Sequence, residues 1–381
     1  VIETISRIYN AEAAVNGPEM IKRGEIDEAT IGSDILDSWL SDDTTKSMVS
    51  MDRPNTNYTY FYMFNFMPYA HEFSNWSVEG VDAEYEPDNW AKAINNTNFR
   101  KAFLYGINNA VTLAVSAPEG YDGYKLNTIT PPNFCATTAG VDYTQCGDLA
   151  NITEFFDEAK AKEFRDAAIE ELTALGVTFP VEMDYYIAAA NQVSLDSANV
   201  LKQCFSDSLG DDYVTLNIMT YVSSSQQEVI APSLHSALFG YGWGADYGDP
   251  QNYLVQESYG NDNAYYSNTY TNINKVEENE YTADLINSYK EFTSMLEEAD
   301  KITDDLDARY QAFAKAEAYL IQHGLSIPQY CGTGWCLTKI DLYSKMRAIY
   351  GCQNDKMKNW LTDSNGYTTE QMEARKAEVV G

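Results

Sequence analysis

The sequence predicts an α/β protein with a parallel strand pair, built as two lobes or as one large lobe with part of another. Two observations carry this expectation. Between Val177 and Ile218 an alternating apolar segment, a helical segment and a second alternating segment follow one another, the order of a βαβ unit with its right-handed crossover. The length of 381 residues exceeds one average domain, and an apolar content of 44% can supply a substantial core.

The elements follow in order. Residues 1–50 read as helix and loop. Pro18 fits a first helical turn, Met20 and Ile21 follow, and Gly24 ends the helix. Ile31 to Leu40 reads as a second short helix, with Ser33 or Asp34 as its cap. Asn57 to Asn65 is aromatic-rich and strand-like, whereas residues 68–95 read as irregular. Asn98 to Val115 reads as one helix, with Phe99, Ala102, Phe103, Ile107 and Ala110 on one side. Gly120 to Gly147 is a long loop carrying Pro131-Pro132.

Phe164, Ala168, Leu172 and Leu175 recur at helical spacing until Gly176 stops the helix. Val177, Phe179, Val181, Met183 and Tyr185 then alternate, which predicts a strand with one buried face. Leu195 to Leu209 is helical, turns Ala198, Leu201, Phe205 and Leu209 inward, and is followed by Gly210. Val214, Leu216 and Ile218 alternate again. Ala237 to Trp243 is a third strand candidate. Residues 280–323 give two helices broken near Asp300 to Asp305, and Pro328 to Trp335 is extended. The tail from Thr368 reads as a charged, exposed helix.

Charge narrows the partners. The chain has 57 acidic against 25 basic residues, a formal net charge of -32. Such a surface repels nucleic-acid phosphates and anionic lipid headgroups, and it favours solubility. Tyrosine is abundant at 29 residues. Clusters such as Tyr58-Thr59-Tyr60-Phe61-Tyr62, Tyr185-Tyr186 and Tyr265-Tyr266 suit a wet binding surface or ordinary strands. No apolar run reaches the length of about 18 residues that a membrane-spanning helix needs. The chain begins at Val1 without an initiator Met or a signal peptide, as expected of a processed or shortened form.

Catalytic signatures are missing. His71, His235 and His323 stand in loose contexts, and no G-x-S-x-G elbow, Walker loop or dinucleotide fingerprint occurs. No cofactor, metal or catalytic residue is therefore expected. Cys135, Cys146, Cys204, Cys331, Cys336 and Cys352 show no C-x-x-C spacing. Cys135 and Cys146 flank a loop that a disulfide could close, as could one pair among Cys331, Cys336 and Cys352; Cys204 falls inside a helical pattern and reads as a free core thiol. Paired carboxylates for glycoside hydrolysis are available by number alone. A carbohydrate-binding protein or glycoside hydrolase is thus the alternative class.

One segment gathers binding-type residues: Gly240, Tyr241, Gly242, Trp243, Gly244, Ala245, Asp246, Tyr247, Gly248, Asp249 and Pro250. Gly242 and Gly244 let another backbone approach, so strand-edge N–H and C=O groups there can pair with an extended peptide. Trp243 offers a flat apolar wall. Asp246 reads as a lone acid in an apolar, aromatic setting, where a carboxylate needs a cationic partner such as a ligand ammonium. Composition alone favours a turn, with Asp249-Pro250 as punctuation and Asp246 as a helix cap.

The run Gly242 to Pro250 resembles the G-W-x-A-D-Y-x-[DE]-P signature of the family 5 extracellular solute-binding proteins, the dipeptide- and oligopeptide-binding components of ABC importers. Further resemblances come in the family's order: Arg23-Gly24-Glu25-Ile26-Asp27, the aromatic Tyr60 to Asn65, Asn98-Phe99-Arg100-Lys101-Ala102-Phe103, and Arg309 with Ala316-Glu317 and Ile327-Pro328. At Asn108-Asn109 the chain departs from the family's usual Asp. The resemblance implies a type II periplasmic-binding-protein-like fold of mixed sheets and flanking helices, with one lobe nearly complete (58–334) and fragments of the other (1–57 and 335–381). It implies peptide capture outside the cell, delivery to an ABC permease, no catalysis and a monomer. The location it implies is the surface of a Gram-positive bacterium, as a lipoprotein anchored outside this chain, or a periplasm. By the same resemblance Asp246 binds a peptide α-ammonium, Gly242 and Gly244 pair with the peptide main chain, and Trp243, Tyr247 and Tyr241 line the site. Some relatives carry a basic residue for the peptide carboxylate where this chain has Gly240 and then Tyr241, a departure that fits longer peptides or another solute.

Overall fold

The computed structural model describes residues 2–10, 12–50, 58–67, 87–116, 123–188, 192–221, 236–331, 335–345, 357–358 and 360–379. His71, His235 and Cys352, named above, lie outside these residues. In chain order the elements are α1 (Ala13–Lys22), β1 (Glu28–Thr30), α2 (Ser33–Ser41), α3 (Asp43–Lys46), β2 (Val49–Ser50), β3 (Tyr58–Phe64), α4 (Pro87–Asn95), α5 (Thr97–Gly106), α6 (Asn109–Ser116), α7 (Glu158–Ala174), β4 (Val181–Ala188), α8 (Gln192–Leu209), β5 (Val214–Tyr221) and β6 (Leu238–Gly244). They continue with α9 (Gln251–Leu254), α10 (Tyr265–Thr269), α11 (Ala283–Asp300), α12 (Leu306–Gln322), β7 (Ser326–Cys331), β8 (Cys336–Thr338) and α13 (Thr369–Val379). Contacts divide the chain into two units: residues 1–58, 244–248 and 331–381, and residues 59–243 and 249–330.

The first unit is an antiparallel sheet of order β1-β8-β2 over a core of Ile21, Ile31, Leu36, Trp39, Val49, Trp335 and Leu337. Pro18 lies in the middle of α1, not in its first turn. The proline has no N–H for the Ala14 carbonyl, and the Gly32 N–H donates to that oxygen instead, at 2.9 Å. Gly32, not Ser33 or Asp34, caps α2, and it does so without a side-chain bond. The tail helix α13 is exposed as expected, apart from Met372.

The second unit holds the βαβ unit. β4 and β5 pair in parallel from Val181↔Val214 to Ala188↔Tyr221, with α8 between them in sequence. Gly176 (φ 79°) and Gly210 (φ 87°) follow α7 and α8, adopting the left-handed backbone that only glycine reaches without strain. The strand begins after Pro180 and is buried on both faces, because Asp184 and Tyr186 are as buried as Val181 and Met183. Asp184 is accommodated there by the side-chain amide of Asn217. Leu175, expected on the buried stripe of α7, is 41% exposed.

Two corrections concern α4 to α6. Residues 87–95 are helical, with Trp90, Ala93 and Ile94 fully buried at helical spacing and Pro87 at the first position. The expected single helix from Asn98 to Val115 is broken at Ile107-Asn108. Gly106 is pressed against α8, where a Cβ would lie 2.9 Å from Ser208 Oγ, and the Asn108 side chain accepts from Ala110 N to start α6. A chain of rings then fills the core, from Phe64 to Phe103, Phe103 to Phe205, and Phe99 to Tyr213 at centroid distances of 5.4, 5.1 and 5.1 Å.

Cys135 and Cys146 are not bridged. The Cys146 thiol donates to the Asp142 carbonyl, and burial, with the nearby charge of Asp249, sets the Cys135 thiol far above its ordinary pKa, against the opposing hydrogen bond with Tyr310. Cys204 is a buried thiol inside α8, as expected.

Candidate functional site

The site residues of the second unit stand on β6, an edge of the sheet ordered β6-β3-β7. Side chains alternate across a strand. Tyr241 and Trp243 therefore share one face of β6, and Gly240, Gly242 and Gly244 share the other. The glycine face is close to a wall of tyrosines: a Cβ on Gly240 would sit 3.3 Å from the Tyr62 ring and 3.4 Å from the Tyr185 hydroxyl. Beside it Tyr60 and Tyr330 stack at 4.6 Å.

The aromatic face is a two-layer cluster. Tyr266 and Tyr270, fully buried on and just after α10, form its floor. Tyr241 stacks on Tyr270 at 5.0 Å and meets Tyr266 edge-on at 6.1 Å. Trp243 meets Tyr266 edge-on at 5.6 Å and leans over Tyr265 at 6.0 Å. Hydrogen bonds fix the orientation of both layers: Trp243 Nε1 donates to Asn252 Oδ1 at 2.9 Å, and the Tyr266 hydroxyl donates to the Gly242 carbonyl at 2.7 Å. Tyr241, Trp243 and Tyr265 remain half-buried.

The bend after β6 carries the remaining candidates, which belong to the first unit. Asp246 and Tyr247 are exposed there, Tyr247 at 45%. Asp246 is thus exposed rather than enclosed in the apolar setting expected of it, although Ala245 beside it is buried. Asp249 has a different role. It accepts from Gln251 N, opening α9, and both its oxygens bond the Arg309 guanidinium at 2.8 and 3.1 Å. Arg309 also reaches Asp300 and the carbonyls of Ala299, Asp300 and Ile302 at the end of α11. Burial opposes its charge, and the bonds to Asp249 and Asp300 outweigh that effect.

Sequence reasoning had marked the Tyr265-Tyr266 cluster but had not joined it to β6. It missed Tyr270, Asn252 and the Asp249–Arg309 pair. A helical offset of four between Tyr266 and Tyr270 was a visible signal; contacts across 60 residues had none.

Residues 3–265 match the family model of bacterial extracellular solute-binding proteins, family 5 Middle. Oligopeptide-binding protein AliB of Streptococcus pneumoniae is 26% identical over 290 residues, covering 71% of this chain and 43% of AliB. The chain thus spans less than half the length of that relative. The substrate-binding domain of an oligopeptide ABC transporter from Bacillus anthracis superposes with a TM-score of 0.60 at 15% identity, covering 93% of this chain and 57% of that one. Peptide-bound OppA of Listeria monocytogenes gives 0.59 at 16% identity, with coverages of 94% and 55%. These likenesses show the fold, the α/β architecture of the type II binding proteins.

Proposed function

Because the chain belongs to the bacterial extracellular solute-binding proteins of family 5, we propose that it is the peptide-contacting portion of an oligopeptide-binding protein, which captures an extended peptide outside the cell and passes it unaltered to an ABC permease. The observation that carries this reading is β6 itself: a sheet-edge strand that alternates glycine with aromatic residues and runs into an exposed aspartate. An edge strand offers backbone groups to an added strand, and glycines let that strand come close. Gly242 is buried and its carbonyl already accepts from Tyr266, so its pairing with the peptide requires that edge to open, while half-buried Gly244 continues it. Asp246 takes the peptide α-ammonium. Trp243, Tyr241 and Tyr247 receive side chains. Gly240, where some relatives place a basic residue, leaves the peptide's carboxyl end unclamped and admits longer peptides.

The names of AliB and OppA support a peptide over a sugar. The lobe reading also belongs to this proposal: residues 58–334 as the second lobe, with 1–57 and 335–381 from the first, the protein acting as a monomer on a cell surface, lipid-anchored, or in a periplasm. Calorimetry of the full-length protein with a peptide library tests it. Asp246→Asn and N-acetylation of the peptide should each weaken binding about 10- to 100-fold, the worth of a charge-assisted hydrogen bond. Equal affinities across these comparisons would refute the ammonium role, and no binding by any peptide would refute the function.

A further inference from the structure

We infer that the cluster of Tyr241, Trp243 and Tyr265 makes this site selective for a peptide with a cationic side chain at one defined position; this rests on the peptide-binding reading above. Three features of the second unit carry the inference. First, the rings form a built surface. Tyr266 and Tyr270 are fully buried beneath them, every outer ring touches at least one floor ring, and Trp243 is pinned by Asn252. A fixed surface of this kind loses little freedom when a ligand settles on it.

Second, the outer rings are half-buried. Aromatic faces carry π-electron density, and the indole of Trp243 is the strongest such partner for an ammonium or guanidinium that reaches it. Partial burial lowers the local dielectric and strengthens the attraction over that of an exposed ring. Third, the formal net charge of -32 steers cations toward the protein and disfavours acidic side chains. An aliphatic or aromatic side chain would gain contact area on the same rings and nothing from the field. The field alone would favour cations at every peptide position; the ring cluster favours them at one.

The experiment uses the full-length protein and a set of otherwise identical peptides with one guest residue, scanned through each position. The guests are Arg, citrulline, trimethyl-lysine, the uncharged carbon isostere of trimethyl-lysine, Leu and Glu. The expected result is one position at which each cationic guest binds on the order of tenfold tighter than its neutral isostere. Tyr265→Leu and Trp243→Leu should bring that ratio toward one, whatever they do to absolute affinity. If either variant fails to fold, the isostere comparison on the unmodified protein still decides. A cationic preference of equal size at every position would reduce the effect to net charge and overturn the inference. So would neutral guests binding as tightly as cationic ones. Loss of all peptide binding, Leu guests included, would instead overturn the peptide-binding reading on which the inference rests.

Discussion

Replacing Glu317 with Gln should stabilise the protein at pH 8 and change little at pH 5. Glu317 lies on α12 with no exposed surface. Its Oε1 accepts from Ile129 N and Thr130 N at 2.7 and 2.9 Å, and its Oε2 meets the Thr130 and Tyr143 hydroxyls at 2.7 and 3.1 Å. Burial raises its pKa from 4.5 to about 7, although the Thr130, Tyr143 and Ile129 bonds pull the other way. The acid is therefore protonated in the folded chain over a range where the unfolded chain has released its proton. Its contribution is complete below pH 4.5 and is lost as pH rises through about 7. That gap corresponds to about 3 kcal/mol against the ionised form. Glutamine imitates the protonated acid: its Oε1 can keep both backbone bonds, and its amide can donate to the two hydroxyls. Urea unfolding of wild type and Glu317→Gln at the two pH values measures the difference, and the many surface carboxylates cancel in the comparison. Neighbouring Glu257, raised by burial to about 8, remains in both proteins. A variant less stable than wild type at pH 8 would show that four accepted bonds make the carboxylate the better form, and the argument from desolvation would fall.

Three further outcomes follow from the second unit and the bend after β6. Asp249→Asn should lower stability by about 1 to 3 kcal/mol, a fall of several degrees in Tm, since it weakens a half-buried bidentate pair; an unchanged Tm would remove Asp249 from the frame. Gly324→Ala should cost about 2 to 4 kcal/mol in urea unfolding, because φ is +63° and the new Cβ would meet the Arg100 backbone at 3.1 to 3.2 Å; a cost under about 0.5 kcal/mol would mean the turn yields. Asp246→Asn, by contrast, should lower Tm by less than Asp249→Asn does, because the Asp246 side chain is exposed whereas Asp249 is half-buried in its pair; an equal or larger fall would assign Asp246 to the frame rather than to the ligand.

What could be read from the sequence was local. Strict alternation located β4 from Val181 on and β5, helical spacing located α7, α8, α11 and α12, and glycines marked the stops at Gly176 and Gly210. The failures were cases where a distant contact decided. Residues 68–95 read as irregular because Asn, Pro, Glu and Trp are frequent there, yet within 87–95 Trp90 Nε1 donates to the Asn65 carbonyl and the apolar face of the helix closes over the core. The helix from 98 breaks where Gly106 meets Ser208, a residue with no mark in the local pattern. For the site, the β6 residues were legible as a motif, but the floor of Tyr266 and Tyr270 under them was not. Neither was the exposure of Asp246.

The motif residues themselves divide into two kinds once their partners are known. Asp249 closes the run that begins at Gly242, and its partner is Arg309 from a different matched segment. Glu317, from that same later segment, holds the backbone of Ile129 and Thr130. Arg100, from an earlier match, is fully buried and donates to the Ile94 and Asn95 carbonyls at 2.8 Å, with burial drawing its pKa down to about 10. These charged positions lie far apart in sequence, and each serves the frame of the second unit. A resemblance carried by them therefore speaks first for the fold, and it would persist whatever the ligand was. Asp246, close before Asp249 in sequence, is exposed, and the rings of β6 rest on tyrosines outside the motif. Under the proposed function, ligand choice therefore rests on Trp243 and Asp246 together with residues on which the motif is silent: Tyr241, Tyr265 and the glycine at position 240.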